Sequence, residues 1–146
     1  MNYFKIREII EDYDSIVIYR HIRPDYDAYG SQLGLKQLLL DNYPEKRVYT
    51  YGLEKIDNPE FLEDMDNPSL DIIRSSLTIV LDTSTFSRTD DKSYAEGLKS
   101  LKIDHHLDSE ECTDYRYVVE SASSTSELIA QLAIVNDWYI SSKSAS

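Results

Sequence analysis

The apolar positions along the chain alternate between two periods. From Tyr3 to Tyr13, the residues Phe4, Ile6, Ile9, Ile10 and Tyr13 recur near helical spacing and predict an amphipathic helix. Ser15-Ile16-Val17-Ile18-Tyr19-Arg20 is a short β-branched run and predicts a buried strand. A polar loop is expected from His21 to Tyr29. A helix is expected from Gly30 to Leu40, carrying Leu33, Leu35, Leu38 and Leu39 and ended by Asp41-Asn42-Tyr43-Pro44. Arg47 to Tyr51 reads as a second strand. Asn58-Pro59 and Asn67-Pro68 then punctuate a loop-rich segment. Leu77 to Leu81 is the clearest strand, apolar on both faces. Tyr94 to Lys99 reads as a short helix, Leu101 to Ile103 as a strand, and Tyr115 to Val119 as an extended piece. Ser124 to Val135 reads as a helix, with Ser124 and Glu127 at capping-box spacing. Ser141 to Ser146 reads as a polar tail.

Strands that are apolar on both faces and alternate with helices predict an α/β fold. Its mainly parallel sheet would carry helices on both faces. In such sheets ligands sit beyond the carboxyl ends of the strands. With 146 residues the expectation is one domain over residues 1–140, followed by the tail.

Charge and composition narrow the partners. Asp and Glu number 27 against 15 Lys and Arg, a net charge of −12. Such a surface repels phosphates and anionic lipids, which argues against a partner of long double-stranded nucleic acid and against a membrane-surface role. No apolar run approaches the ~20 residues of a transmembrane helix. The first residues contain no secretory-type apolar stretch. Cys112 is the single cysteine, so an internal disulfide and a thiolate zinc cage are excluded. A reducing, cytoplasmic location is the expectation.

The chemistry gathers at three strand ends. His21-Ile22-Arg23-Pro24-Asp25-Tyr26-Asp27-Ala28-Tyr29-Gly30-Ser31 follows the first strand. Asp82-Thr83-Ser84 follows Leu81, and Asp104-His105-His106 follows Ile103. All three histidines of the chain lie in these segments. A lone histidine is most often a core or surface residue. Here four carboxylates would converge on one crevice and repel one another unless cations held them. Mixed Asp and His donors suit Mn²⁺, Mg²⁺ or Fe²⁺. An EF-hand reading of Asp25-x-Asp27-x-Tyr29-Gly30 fails, because its twelfth position is Lys36 instead of a bidentate Glu. The chain has no Gly-rich P-loop and no G-x-S-x-G elbow.

These segments resemble the motifs of the DHH phosphoesterases. His21-x-x-Pro24-Asp25-x-Asp27-Ala28-x-Gly30-Ser31 is similar to the first motif, Asp82-Thr83 to the second, and Asp104-His105-His106 to the one that names the family. Seven fixed letters in the first motif arise by chance about once per billion positions at roughly 5% usage each. The run Ser123-Ser124-Thr125-Ser126-Glu127 and the segment Asp82 to Arg88 look most like the oligoribonuclease and phosphoadenosine-phosphate phosphatase branch. The resemblance implies a site of two ions, usually manganese. His21 and Asp25 would bind the first ion, Asp27 and His105 the second, and Asp82 both. His106 would face the substrate phosphate, and Asp104 would hold a histidine from behind. Two cations roughly 3.5–4 Å apart can activate a water and stabilise the leaving oxygen of an in-line displacement at phosphorus. Arg88 is a candidate phosphate contact, with a surface ion pair to Asp90 or Asp91 as its alternative. Ser123, Ser124 and Thr125 are candidates for an anion at a helix start, with plain capping as theirs.

A later Gly-Ile-x-x-Asp-Thr-Gly-type motif and a second, base-gripping domain are usual in the family, and neither occurs in these 146 residues. The expectation is an incomplete domain lacking its last strand, with an exposed sheet edge open to self-association or a homodimer. Its expected substrate is a small phosphorylated molecule, a nucleotide or short RNA. The alternatives are a pyrophosphatase or exopolyphosphatase and a metal-binding fragment without catalysis.

Overall fold

A computed structural model describes residues 1–21, 25–53, 65–83, 85, 92–106 and 111–145. The first helix, α1 (Tyr3–Glu11), starts at Asn2, whose side chain accepts the Lys5 amide at 2.9 Å, and buries Ile6, Ile9 and Ile10. The chain then enters β1 (Ser15–Tyr19), α2 (Tyr26–Asn42), β2 (Arg47–Tyr51), α3 (Leu70–Arg74) and β3 (Leu77–Leu81). A 3₁₀ turn at Lys92–Glu96, β4 (Lys99–Asp104), β5 (Tyr115–Val118), α4 (Thr125–Val135) and α5 (Ser142–Ala145) follow.

The five strands found among the described residues are all parallel, in the order β2-β1-β3-β4-β5. Every residue of β1 and β3 is buried, as their unbroken apolar runs require. Alternate residues serve two cores. Ile16, Ile18, Leu77, Ile79, Leu81, Leu101 and Ile103 face α1, α2 and α4. Val17, Tyr19 and Val80 face Ile73 of α3 and Tyr94 of the 3₁₀ turn. The parallel α/β expectation is therefore met, with helices on both faces. Among the described residues no helix is long and apolar enough to cross a membrane.

The strand order reverses direction at β1. From β1 the chain crosses to β2 on one side and then returns to β3 on the other. The two crossovers leave a crevice beyond the carboxyl ends of β1 and β3, where such sheets bind their ligands. Gln32 of α2 closes the crevice floor on one side. Its amide donates to the carbonyls of Ile18 at 2.8 Å and Tyr51 at 3.0 Å, linking the ends of β1 and β2.

Three elements differ from the sequence expectation, each for a local reason. Helix α2 begins at Tyr26, four residues before Gly30, because Asp25 caps it by accepting the Ala28 amide at 2.8 Å. The helix expected at Tyr94–Lys99 is a 3₁₀ turn that stops at Glu96, and Lys99 belongs to β4. Gly97 explains the stop. A Cβ there would meet Thr78 Cγ2 at 2.6 Å and the Ser76 carbonyl at 3.0 Å, so the chain passes against β3 where a side chain has no room. The expected polar tail contains α5, which packs beside α2, with the Ser144 carbonyl near Gly34. Ahead of it, Asn42 bonds both the amide (2.8 Å) and the carbonyl (2.9 Å) of Tyr139.

Gly97→Ala is expected to destabilise the fold by about 1–3 kcal/mol, the usual cost of overpacking. Urea denaturation checks this, and an unchanged midpoint would contradict the packing argument. A second prediction concerns Asp66, which accepts the Thr50 amide at 2.9 Å and the Lys36 ammonium at 2.9 Å. Burial pushes this carboxyl up, but the bonds from Lys36 and Thr50 outweigh it and hold it below the usual carboxylate range. Its contribution is complete above the ordinary carboxylate pKa and is lost as pH falls through the depressed value. Asp66→Ala should cost about 1 kcal/mol at neutral pH. The gap between native and variant urea midpoints should narrow as pH drops below about 4, whereas a pH-independent gap would rule the ion pair out.

Candidate metal centre

Seven of the residues singled out from the sequence meet at the crevice. His21 follows β1 and is almost buried, Asp82 follows β3 at 3% exposure, and Asp104 ends β4 with none. His105 and His106 come next in the chain, while Asp25 and Asp27 stand at the start of α2. Strands β1, β3 and β4 thus deliver donors side by side because they are parallel and end at one level.

Asp82 is the hub. Its Oδ2 lies 3.2 Å from His21 Nε2, and its Oδ1 lies 3.4 Å from His105 Nε2. His21 Nε2 is also 3.8 Å from Asp25 Oδ1, and His105 Nε2 is 3.8 Å from Asp27 Oδ2. The two oxygens of one carboxylate therefore face two separate Asp/His pairs. His21, Asp25 and Asp82 bring their donor atoms within 4.8 Å of one another, as do Asp82, His105 and His106. Asp82 also has a positive φ of 55°, a conformation in which L residues are strained and which Asp and Asn tolerate best.

His106 is placed differently from His105. Its Nδ1 bonds Asp104 Oδ1, and the same nitrogen is 4.0 Å from Asp82 Oδ1. A buried carboxylate on one ring nitrogen fixes the tautomer and the ring plane. His106 is 39% exposed, against 22% for His105, so its ring reaches further into the crevice mouth.

The carboxylates are not electrostatically equal. Burial pushes the Asp82 carboxyl up; the bond from His21 opposes this, and the charges of Asp27 and Asp25 add to it. Burial also pushes Asp27 up, but donors from α4 more than compensate and leave it below the ordinary carboxylate range. The Ser126 hydroxyl donates to Asp27 Oδ1 at 2.6 Å and the Ser126 amide at 3.0 Å. The Thr125 amide donates to Asp27 Oδ2 at 3.1 Å, and the Thr125 hydroxyl to Asp82 Oδ1 at 3.1 Å.

The sequence made Ser124 a candidate anion contact with plain capping as its alternative, and the structure shows the cap. Ser124 Oγ caps α4 by accepting the Glu127 amide at 3.1 Å. Glu127 in turn accepts the amide of Ser123 at 2.7 Å, one residue earlier than a strict capping box. Thr125 and Ser126 are the residues that reach the acids. The signal was present, since a run of four hydroxyl residues, Ser123 to Ser126, is longer than a cap needs. Arg88 lies outside the described residues.

Residues 15–145 match the family described as DHH family, N-terminal domain. The chain belongs to the DHH family. It is 40% identical over 136 residues to the bifunctional oligoribonuclease and PAP phosphatase NrnA of Bacillus subtilis, covering 91% of this chain and 43% of that protein. It is 40% identical to the probable NrnA of Streptococcus mutans, covering 93% of this chain and 44% of that one. Among solved structures, an exopolyphosphatase-related protein from Bacteroides fragilis superposes with a TM-score of 0.83 at 26% identity, over 98% of this chain and 46% of its own. The chain spans less than half the length of these relatives.

The electrostatics give a direct test. Asp82 carries a raised pKa, so its charged form weakens the fold as pH rises through that value, and a neutral isostere removes the penalty. Asp82→Asn keeps a residue suited to φ 55° and should melt, without metal, no lower than the native chain. Any rise in melting temperature that Mn²⁺ gives the native chain should vanish in the variant. A metal-free variant that melts several degrees lower would contradict the account of repulsion.

Proposed function

We propose that this chain is the metal-bearing part of a hydrolase that cleaves phosphate esters of nucleotides or short oligoribonucleotides. The observation that supports it most is the divided Asp82 carboxylate, one oxygen toward His21 and the other toward His105. In this reading His21 and Asp25 hold one divalent cation, Asp27 and His105 hold another, and Asp82 serves both. The donor set is imidazole nitrogen and carboxylate oxygen with no thiolate, which fits Mn²⁺ and is shared by Mg²⁺ and Fe²⁺. When bound, such ions supply positive charge and a water of lowered pKa beside the phosphorus.

The remaining work falls to the chain's own groups. Asp104 holds His106 by Nδ1, and His106 meets an oxygen of the substrate phosphate from the exposed side of the crevice. Arg88 is retained as a phosphate contact on the sequence pattern. Ser124 contributes by fixing the first turn of α4. The acidic surface repels a long polyanion, so the substrate is a small one drawn in by the cations. A reducing, cytoplasmic location suits the lone Cys112.

The names of the relatives supply the candidate substrates. The Bacillus subtilis protein is named for oligoribonucleotides and PAP. The Bacteroides fragilis structure is named as related to exopolyphosphatases, so polyphosphate hydrolysis is the competing reading.

Two measurements test the proposal. Manganese titration followed by electron paramagnetic resonance should show two bound ions per chain. An assay with Mn²⁺ should release phosphate from adenosine 3′,5′-bisphosphate and mononucleotide from a dinucleotide. His106→Ala should lower both activities by about 10²-fold or more. Faster turnover of pyrophosphate or polyphosphate would favour the competing reading. A chain that binds fewer than two ions would refute the two-cation site.

A further inference from the structure

We infer that Thr125 and Ser126, on the first turn of α4, are positioning residues that decide which carboxylate oxygens face the cations. The inference rests on the two-cation reading of the site. Its support is a count of donors on each oxygen. Asp27 Oδ1 accepts both the Ser126 hydroxyl and the Ser126 amide, so both of its lone-pair directions are used. Asp27 Oδ2 accepts only the Thr125 amide from this helical turn. That oxygen is the one 3.8 Å from His105 Nε2. Asp27 is thereby held as a single-oxygen ligand, through Oδ2, on the His105 side.

Thr125 does the same for Asp82. Its side chain is fully buried, and its hydroxyl bonds Asp82 Oδ1 at 3.1 Å. A carboxylate on a single bond rotates freely in a roomy site, because its terminal torsion is broad. The Thr125 bond fixes that torsion with Oδ1 toward His105 and Oδ2 toward His21. One helical turn thus sets the orientation of both acids that bear on the second cation. The amides and the N-terminal end of the helix dipole also offset the repulsion between Asp27 and Asp82.

Side-chain variants isolate the hydroxyls, since the amides remain. Ser126→Ala should weaken the second Mn²⁺ about 10-fold and leave the first unchanged. Thr125→Val should weaken both, because Asp82 serves both, and Thr125→Ser should restore them. Circular dichroism confirms that each variant is folded. A second measurement needs no metal. In a double-mutant cycle by urea denaturation, Ser126→Ala should lower the midpoint when Asp27 is present and leave it unchanged in an Asp27→Ala background. Native Mn²⁺ affinities in folded Ser126→Ala and Thr125→Val, or purely additive midpoints in the cycle, overturn the inference. A native chain that takes up no Mn²⁺ refutes the two-cation reading instead. The cycle then decides the clamp alone, with coupling supporting it and additivity overturning it.

Discussion

The structure depends on gathering Asp25, Asp27, Asp82 and Asp104 at one end of a sheet without letting their charges push it apart. Two of these acids are buried or nearly so, which makes their repulsion costly. Among the described residues the fold answers with hydrogen-bond donors from the helix starts and the histidines. Asp27 receives three hydrogen bonds from the first turn of α4. Asp104 is joined to the His106 ring, and Asp25 is committed to the cap of α2. Asp82 takes the Thr125 hydroxyl and the His21 bond, yet its burial and the charges of Asp27 and Asp25 leave its carboxyl shifted toward the neutral form. A site in that condition favours cations, and two divalent ions would bring the net charge from −12 to about −8.

Topology makes this arrangement possible. The reversal of strand order at β1 opens a crevice between two crossovers, and parallel pairing brings three carboxyl ends to one level. Helix α2 enters that crevice by its first turn and brings Asp27, while α4 enters from β5 and brings Thr125 and Ser126. The two helices pack on the same face of the sheet, over the same core. A bond between Asp27 and Ser126 therefore joins residues ninety-nine positions apart and ties the two ends of the domain together. The family's motifs and the core are in this sense one design, because the buried faces of α2 and α4 aim their first turns at the acids.

Similarity to longer relatives bears on this design. The chain spans less than half of the matched NrnA proteins, and all of the acids and histidines discussed lie inside the matched stretch. The Asp and His groups that could hold cations thus lie together in this part of the fold.

Much of this was readable from residue order. The apolar runs Ser15 to Tyr19 and Leu77 to Leu81 marked the central strands, because only a doubly covered strand can be apolar at every position. The placement of His21, Asp82 and Asp104 immediately after strands marked the end of the sheet where chemistry gathers. Two things were decided only in three dimensions. The start of α2 depended on Asp25 acting as a cap, so a polar stretch that reads as loop became the first helical turn. The role of the serine run depended on α4 pointing at Asp27, which is set by packing against α2 and carries no local signature. Sequence determines which side chains can hold a cation and on which strands they ride. The fold decides how the Asp27 and Asp82 carboxylates are turned, because that orientation comes from donors far away in the chain.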